Sequence, residues 1–238
     1  MLKASECRVD DLRAIVAEQT RVEDYPLADR VESNVLVYRA GALIAADPDA
    51  AREELARALG EGPGVVIVEG AVDPAIVDRA TEVFFAIIEE QNSRGQAVGD
   101  HFAKPGANDR IWNSLEKLAV ADPATFVDYH GNPVLDLVAT AWLGPAYQMT
   151  AQVNVVNPGG AAQVPHRDYH LGFMSSEQIE RYPDQVHALS PALTLQAAVA
   201  HDDTPLETGP TMLLPHSQKY PAGYLIAGRD DFAEFTTK

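Results

Sequence analysis

The stretch QVPHRDYHLGF, residues 163–173, gathers two histidines, an arginine and an aspartate into a short run. His166 and Asp168 are two positions apart, and in an extended chain that spacing puts both side chains on one face, with His170 continuing it. Neutral imidazole nitrogen and carboxylate oxygen are ligands suited to Fe(II), Mn(II) or Zn(II). A third ligand, usually a histidine from a distant strand, would complete one triangular face of an octahedron. Three positions then stay open for a co-substrate and dioxygen, the geometry of non-haem Fe(II) oxygenases. Taken alone, the spacing favours a plainer reading, a surface loop closed by a His–Asp hydrogen bond.

The elements around the stretch shift that balance. The first part of the chain, to residue 145, reads mostly helical. Helices are expected from Asp47-Pro48, Asp73-Pro74, Asp122-Pro123 and Asn132-Pro133, where a capping side chain precedes a proline suited to the first turn. GVVIVEG, residues 64–70, is a short apolar run between glycines and reads as a buried strand. The character then changes. YQMTAQVNVV, residues 147–156, alternates strictly, with Gln148, Thr150, Gln152 and Asn154 on its polar face. LTLQAAVA, residues 193–200, does the same, with Thr194 and Gln196 opposite its apolar side, and TMLLP follows at residues 211–215. The pattern predicts an α+β protein with antiparallel strands, in one domain of residues 1–238. Residues 1–145 form a helical front and residues 146–238 a sheet-rich back. The polar strand faces carry no charge, so they read either as a solvent side or as the lining of a polar cavity.

Composition narrows the partners. The chain has 238 residues, 46% of them hydrophobic, and a formal net charge of −17. That charge disfavours nucleic acid and anionic membranes, both of which reward basic patches. A single cysteine, Cys7, excludes an intramolecular disulfide and a thiolate zinc cage. No signal peptide or membrane span is visible, so a cytoplasmic protein acting on a small-molecule substrate is the expectation. Nothing in the composition speaks to oligomeric state.

VNVVNPGGAAQVPHRDYHLGF followed by LTLQAAVAHDDTPLETGPTMLLPHSQK resembles the phytanoyl-CoA dioxygenase (PhyH-like) family of Fe(II)/2-oxoglutarate-dependent oxygenases. In that family a His-x-Asp follows a strand, and a later strand runs into a D-D…E-x-G turn and a G-P-T…P…S segment. The resemblance covers residues 145–224. It implies a double-stranded β-helix, the cupin-like jelly roll, with the N-terminal helices packed around it. It implies Fe(II) held by His166 and Asp168, with 2-oxoglutarate as co-substrate and dioxygen as oxidant. Gln152, Asn154 and Gln196 become candidate contacts for the co-substrate or substrate. An aspartate at position 168 points to hydroxylation, because related halogenases carry a small residue there.

The family's distal histidine and its 2-oxoglutarate arginine fall beyond the GPT…PHS segment. No histidine follows His216, and Arg229 is the sole arginine after Arg181. DDFAEFTTK reads as mid-helix, so the last core strands and those two residues are expected beyond Lys238, with weak iron binding and little or no turnover by these 238 residues alone, unless the chain is a natural protein with an incomplete site. His170 would sit too far along a continuous strand to close a triad, since two residues advance the chain about 6.5 Å. His187, His201 and His216 read as hydrogen-bonded structural histidines. His101, in GDHFAKPG, reads as part of a lid or of an ordinary loop. Arg110 and Lys117 read as solvated charges or as anion contacts from the helical front. Two further readings stay open: a non-catalytic jelly-roll binding protein and a cupin-type metal enzyme.

Overall fold

Proline in the first turn of a helix forfeits no needed hydrogen bond, and an Asp or Asn just before it accepts from amides that would otherwise be unpaired. A computed structural model, describing residues 1–96, 106–160, 163–172 and 174–235, has this arrangement at each of the expected starts. In chain order the elements to residue 156 are α1 (Val9–Val16), β1 (Arg30–Glu32), β2 (Val35–Arg39), α2 (Ala40–Ala45), α3 (Pro48–Gly60), β3 (Val66–Glu69), α4 (Pro74–Ser93), β4 (Asn108–Ile111), α5 (Ser114–Ala121), α6 (Pro123–His130), α7 (Pro133–Leu143) and β5 (Val153–Val156). Asp47 accepts from the Asp49 and Ala50 amides, Asp73 from Ala75, Asp122 from Ala124 and Thr125, and Asn132 from Val134 and Leu135. After β5 the helices are short: α8 (Ser176–Ile179), α9 (Asp184–Leu189) and α10 (Gly223–Ile226).

The fold is mixed α/β with two small sheets among the described residues. In the first, β1 pairs antiparallel with β2 across a Ser33-Asn34 turn, and both turn residues have positive φ (49° and 68°), as a type I′ hairpin requires. β2 then pairs parallel with β3 through the α2–α3 crossover. The expectation of purely antiparallel pairing is therefore corrected. A strand-to-strand connection long enough to hold two helices allows the parallel ladder. In the second sheet β4 and β5 run antiparallel, with Arg110 opposite Asn154 and Ile111 opposite Val153.

Burial organises these elements into three apolar clusters. Leu36, Tyr38, Leu43, Leu55 and Ala58 pack beneath α7. Ala80, Phe84, Ile88, Ile111, Leu118 and Tyr129 form a second cluster, which takes Val153, Val155 and Val199 from the sheet-rich back. A third joins the two ends of the chain: Cys7, Val9 and Leu12 with Leu171, Ile179, Leu225, Ile226 and Phe232.

Of the alternating stretch at residues 147–156, only Val153–Val156 pairs as a strand, and residues 193–200 and 211–215 belong to no ladder among the described residues. Closure into a barrel is thus not among the described pairings. Alternation states which side chains share a face, but a ladder also needs a neighbouring backbone to bond. Residues 194–201 are held instead by side chains. The Trp142 indole donates to the Thr194 carbonyl at 3.1 Å, and the His201 ring lies between Thr81 Oγ1 (2.7 Å) and the Tyr129 hydroxyl (2.8 Å). No helix of the described residues is long and apolar enough to cross a membrane.

Burial pushes the imidazoles of His130, His201 and His216 below the ordinary histidine range. The unfolded chain therefore binds protons at these sites first as pH falls, and stability drops with it from about pH 6.5 downward, by at most about 1.4 kcal/mol per pH unit for each ring. Carboxylates held low by their partners, such as Asp122 by the Thr125 amide and hydroxyl, titrate only at lower pH. Urea denaturation at pH 7.5, 6.5 and 5.5 is expected to show falling midpoints, with a shallower fall in His201→Gln. A flat profile over this window would contradict the assignment.

Candidate metal centre

β5 ends in a turn at residues 157–160, where the Asn157 amide donates to the Ala107 carbonyl (3.0 Å) and the Gly160 amide to the Asn157 carbonyl (2.9 Å). Residues 163–172 then run without regular structure. Their shape is set from behind. Leu171 is fully buried in the cluster that joins the chain ends. The Arg167 guanidinium donates to the Tyr220 carbonyl at 2.9 Å. A Cβ on Gly172 would overlap the Arg167 carbonyl oxygen, so residues 167–172 fold back on themselves more tightly than any side chain at 172 permits.

In front of that support stand His166 and Asp168. His166 Nε2 lies 3.1 Å from Asp168 Oδ1, with the side chains 21% and 35% exposed. His166 Nδ1 lies 2.6 Å from the Val164 carbonyl oxygen. A carbonyl oxygen only accepts, so Nδ1 carries the proton of the neutral ring and Nε2 is its lone-pair nitrogen. Nε2 thus presents a lone pair to a carboxylate oxygen. Two acceptors at this distance need a positive charge between them, either a proton on the ring or a metal ion. Metal-ligating histidines commonly donate their second nitrogen to a carbonyl or carboxylate in this way, which fixes the tautomer.

Gln196 completes the first layer. Its Nε2 donates to Asp168 Oδ2 at 2.6 Å, leaving Oδ1 turned toward His166. Sequence reasoning placed Gln196 among the pocket residues, and the structure brings it to the pair as a partner of the aspartate. Gln152 and Asn154 are exposed and sit with the β4–β5 ladder. Asn154 Oδ1 accepts from Asn108 Nδ2 at 2.8 Å, on the ladder face that also carries Arg110, whose guanidinium lies 4.6 Å from the Trp112 ring centroid.

The other histidines lie elsewhere. His216 is buried, with Nε2 3.1 Å from Thr20 Oγ1. His187 is fully buried and lies 3.1 Å from the Tyr182 carbonyl oxygen. His170 packs its ring near Tyr182 (6.2 Å between centroids). His101 falls outside the described residues. Among the described residues no three His, Cys, Asp or Glu side chains come together as a metal cluster. The two-ligand pair fits a divalent ion by its donor chemistry and tautomer, and the described residues add no third acidic or imidazole ligand.

Arg229 ties the chain ends together, donating to the Ala4 (3.2 Å) and Cys7 (2.8 Å) carbonyls and pairing with Asp231. Sequence reasoning passed over Arg167, Gly172 and Tyr220. For Arg167 a signal was present, since the residue between two that share a face points to the opposite side.

A family model described as Phytanoyl-CoA dioxygenase (PhyH) matches residues 60–238. No curated protein and no solved structure matches the chain.

Gly172→Ala is expected to force residues 167–172 open. Amide exchange should accelerate over residues 164–172, and the urea midpoint should fall by about 2 kcal/mol-equivalents of stability, the scale of a steric backbone clash. Wild-type exchange in this stretch would refute the tight fold-back.

Proposed function

The chain belongs to the phytanoyl-CoA dioxygenase family, and on that premise we propose that it is an Fe(II)- and 2-oxoglutarate-dependent oxygenase that hydroxylates a small organic molecule. The observation that carries the reading is the His166–Asp168 pair, with the Val164 carbonyl holding the Nδ1 proton and leaving Nε2 to face Asp168 Oδ1 at 3.1 Å. His166 Nε2 and Asp168 Oδ1 are the metal ligands. Gln196, bonded to Asp168 Oδ2, keeps the carboxylate from rotating away, and such outer partners are worth about 10- to 100-fold in metal affinity.

When bound, Fe(II) with 2-oxoglutarate supplies oxygen activation: dioxygen, the keto acid and a substrate C–H bond give succinate, carbon dioxide and the hydroxylated product. The chain's own contribution is positional. As a ligand, the Asp168 carboxylate would leave no vacancy for a halide at that position, which favours hydroxylation. The polar face of β4 and β5, with Asn108, Arg110 and Asn154, and Gln152 just before β5, is the candidate pocket wall, and Gln152 and Asn154 are co-substrate or substrate contacts. We assign residues 147–156, 193–200 and 211–215 to a jelly roll in one domain of residues 1–238; among them only Val153–Val156 is paired as a strand in the described residues. The net charge of −17 favours a small-molecule substrate over nucleic acid or an anionic membrane. A non-catalytic binding protein of the same architecture would keep the pocket and lack the oxygen chemistry.

Anaerobic addition of Fe(II) and 2-oxoglutarate to the full-length protein is expected to give a visible metal-to-ligand charge-transfer band, lost in His166→Ala. Admission of dioxygen should then form succinate. Absence of the band in the wild type, or an unchanged band in His166→Ala, would overturn the reading.

A further inference from the structure

We propose that Arg167, the residue between the two metal-binding side chains, is a positioning residue that sets their geometry by tethering the peptide to the Tyr220 carbonyl. This rests on the metal reading of His166 and Asp168 above. The Arg167 side chain reaches the chain-end junction, where Nη2 donates to the Tyr220 carbonyl at 2.9 Å. Tyr220 is itself fixed. Its amide donates to the Ser217 carbonyl at 3.1 Å, and its hydroxyl lies 3.2 Å from both the amide and the carbonyl of Arg8.

The anchor is therefore the packed junction of the two chain ends. In that cluster Leu171 is fully buried beside Val9, Leu12, Ala222, Leu225 and Ile226, with Tyr220 packed against it. The loop is consequently pinned at 167 by a charge-assisted hydrogen bond and at 171 by burial, with Gly172 folded against the Arg167 carbonyl. Two ligands separated by one residue share that residue's backbone torsions. Fixing Arg167 fixes the angle at which His166 and Asp168 meet. Residues 1–59 lie outside the family match, so the support includes a part of the chain that the family description does not cover.

The test is Mn(II) binding to the full chain, followed by the electron paramagnetic resonance signal of free Mn(II), beside circular dichroism and urea denaturation. Arg167→Ala is expected to remain folded and to bind Mn(II) about tenfold more weakly, at the low end of the cost of losing an outer-shell partner. Arg167→Lys keeps one charged donor and should recover most of that loss. A purely structural role would lower the urea midpoint and leave the Mn(II) affinity of the folded protein unchanged. Wild-type affinity in folded Arg167→Ala would overturn the proposal alone. No Mn(II) binding by the wild type would overturn the metal reading and the proposal with it. Should Arg167→Ala fail to fold, Arg167→Gln carries the same comparison. Unfolding of both would make Arg167 a stability residue and reject the positioning role.

Discussion

An imidazole lone pair and a carboxylate oxygen 3.1 Å apart repel unless a positive charge sits between them, and much of the surrounding architecture serves to hold that contact. The Val164 carbonyl accepts the Nδ1–H hydrogen bond, which removes the ring's option of turning a neutral N–H toward the aspartate. Gln196 takes the far carboxylate oxygen, which removes the option of the aspartate turning away. What remains is a nitrogen and a carboxylate oxygen held face to face, an arrangement that either a ring proton or a bound cation satisfies. A neutral solvent-facing His–Asp hydrogen bond would need the opposite tautomer.

The wider structure explains why this contact can be held on a loop. Loops place reactive side chains well only when a rigid body stands behind them. Here that body is the cluster of Val9, Leu12, Leu171, Ile179, Leu225, Ile226 and Phe232, tied across its edge by Arg229 to the Ala4 and Cys7 carbonyls. Gln196 arrives on a different segment. That segment is set by Trp142 of α7 at Thr194 and by the Thr81–His201–Tyr129 contacts with α4 and α6. The helical front thus reaches the candidate centre through the residue that orients the aspartate.

How much of this was legible in the sequence follows from the range of each interaction. The helices at Pro48, Pro74, Pro123 and Pro133 were readable because a cap is satisfied within three residues. The closeness of His166 and Asp168 was readable because two positions of separation keep the side chains within reach of each other, whereas the Gln196–Asp168 contact joins residues 28 apart. The β1–β2 hairpin was not read: its strands are short, and its Ser33-Asn34 turn lacks the glycine that usually marks a type I′ turn. The segments at 193–200 and 211–215 alternate as strands do, yet pairing depends on a distant backbone that alternation does not specify. Arg167, Gly172 and Tyr220 became visible only with the fold, because their roles depend on contacts across 53 residues, between 167 and 220, and on a close backbone approach.

Anomalous diffraction from crystals of the full chain grown with Mn(II) tests most directly whether a divalent cation binds between His166 and Asp168. The account predicts a peak about 2.0–2.3 Å from both His166 Nε2 and an Asp168 carboxylate oxygen, the range of nitrogen and oxygen ligands to such ions, with Gln196 still bonded to the other oxygen. A peak elsewhere on the protein, or a His166 ring turned so that its Nε2 proton bonds Asp168 with no metal present, would contradict it.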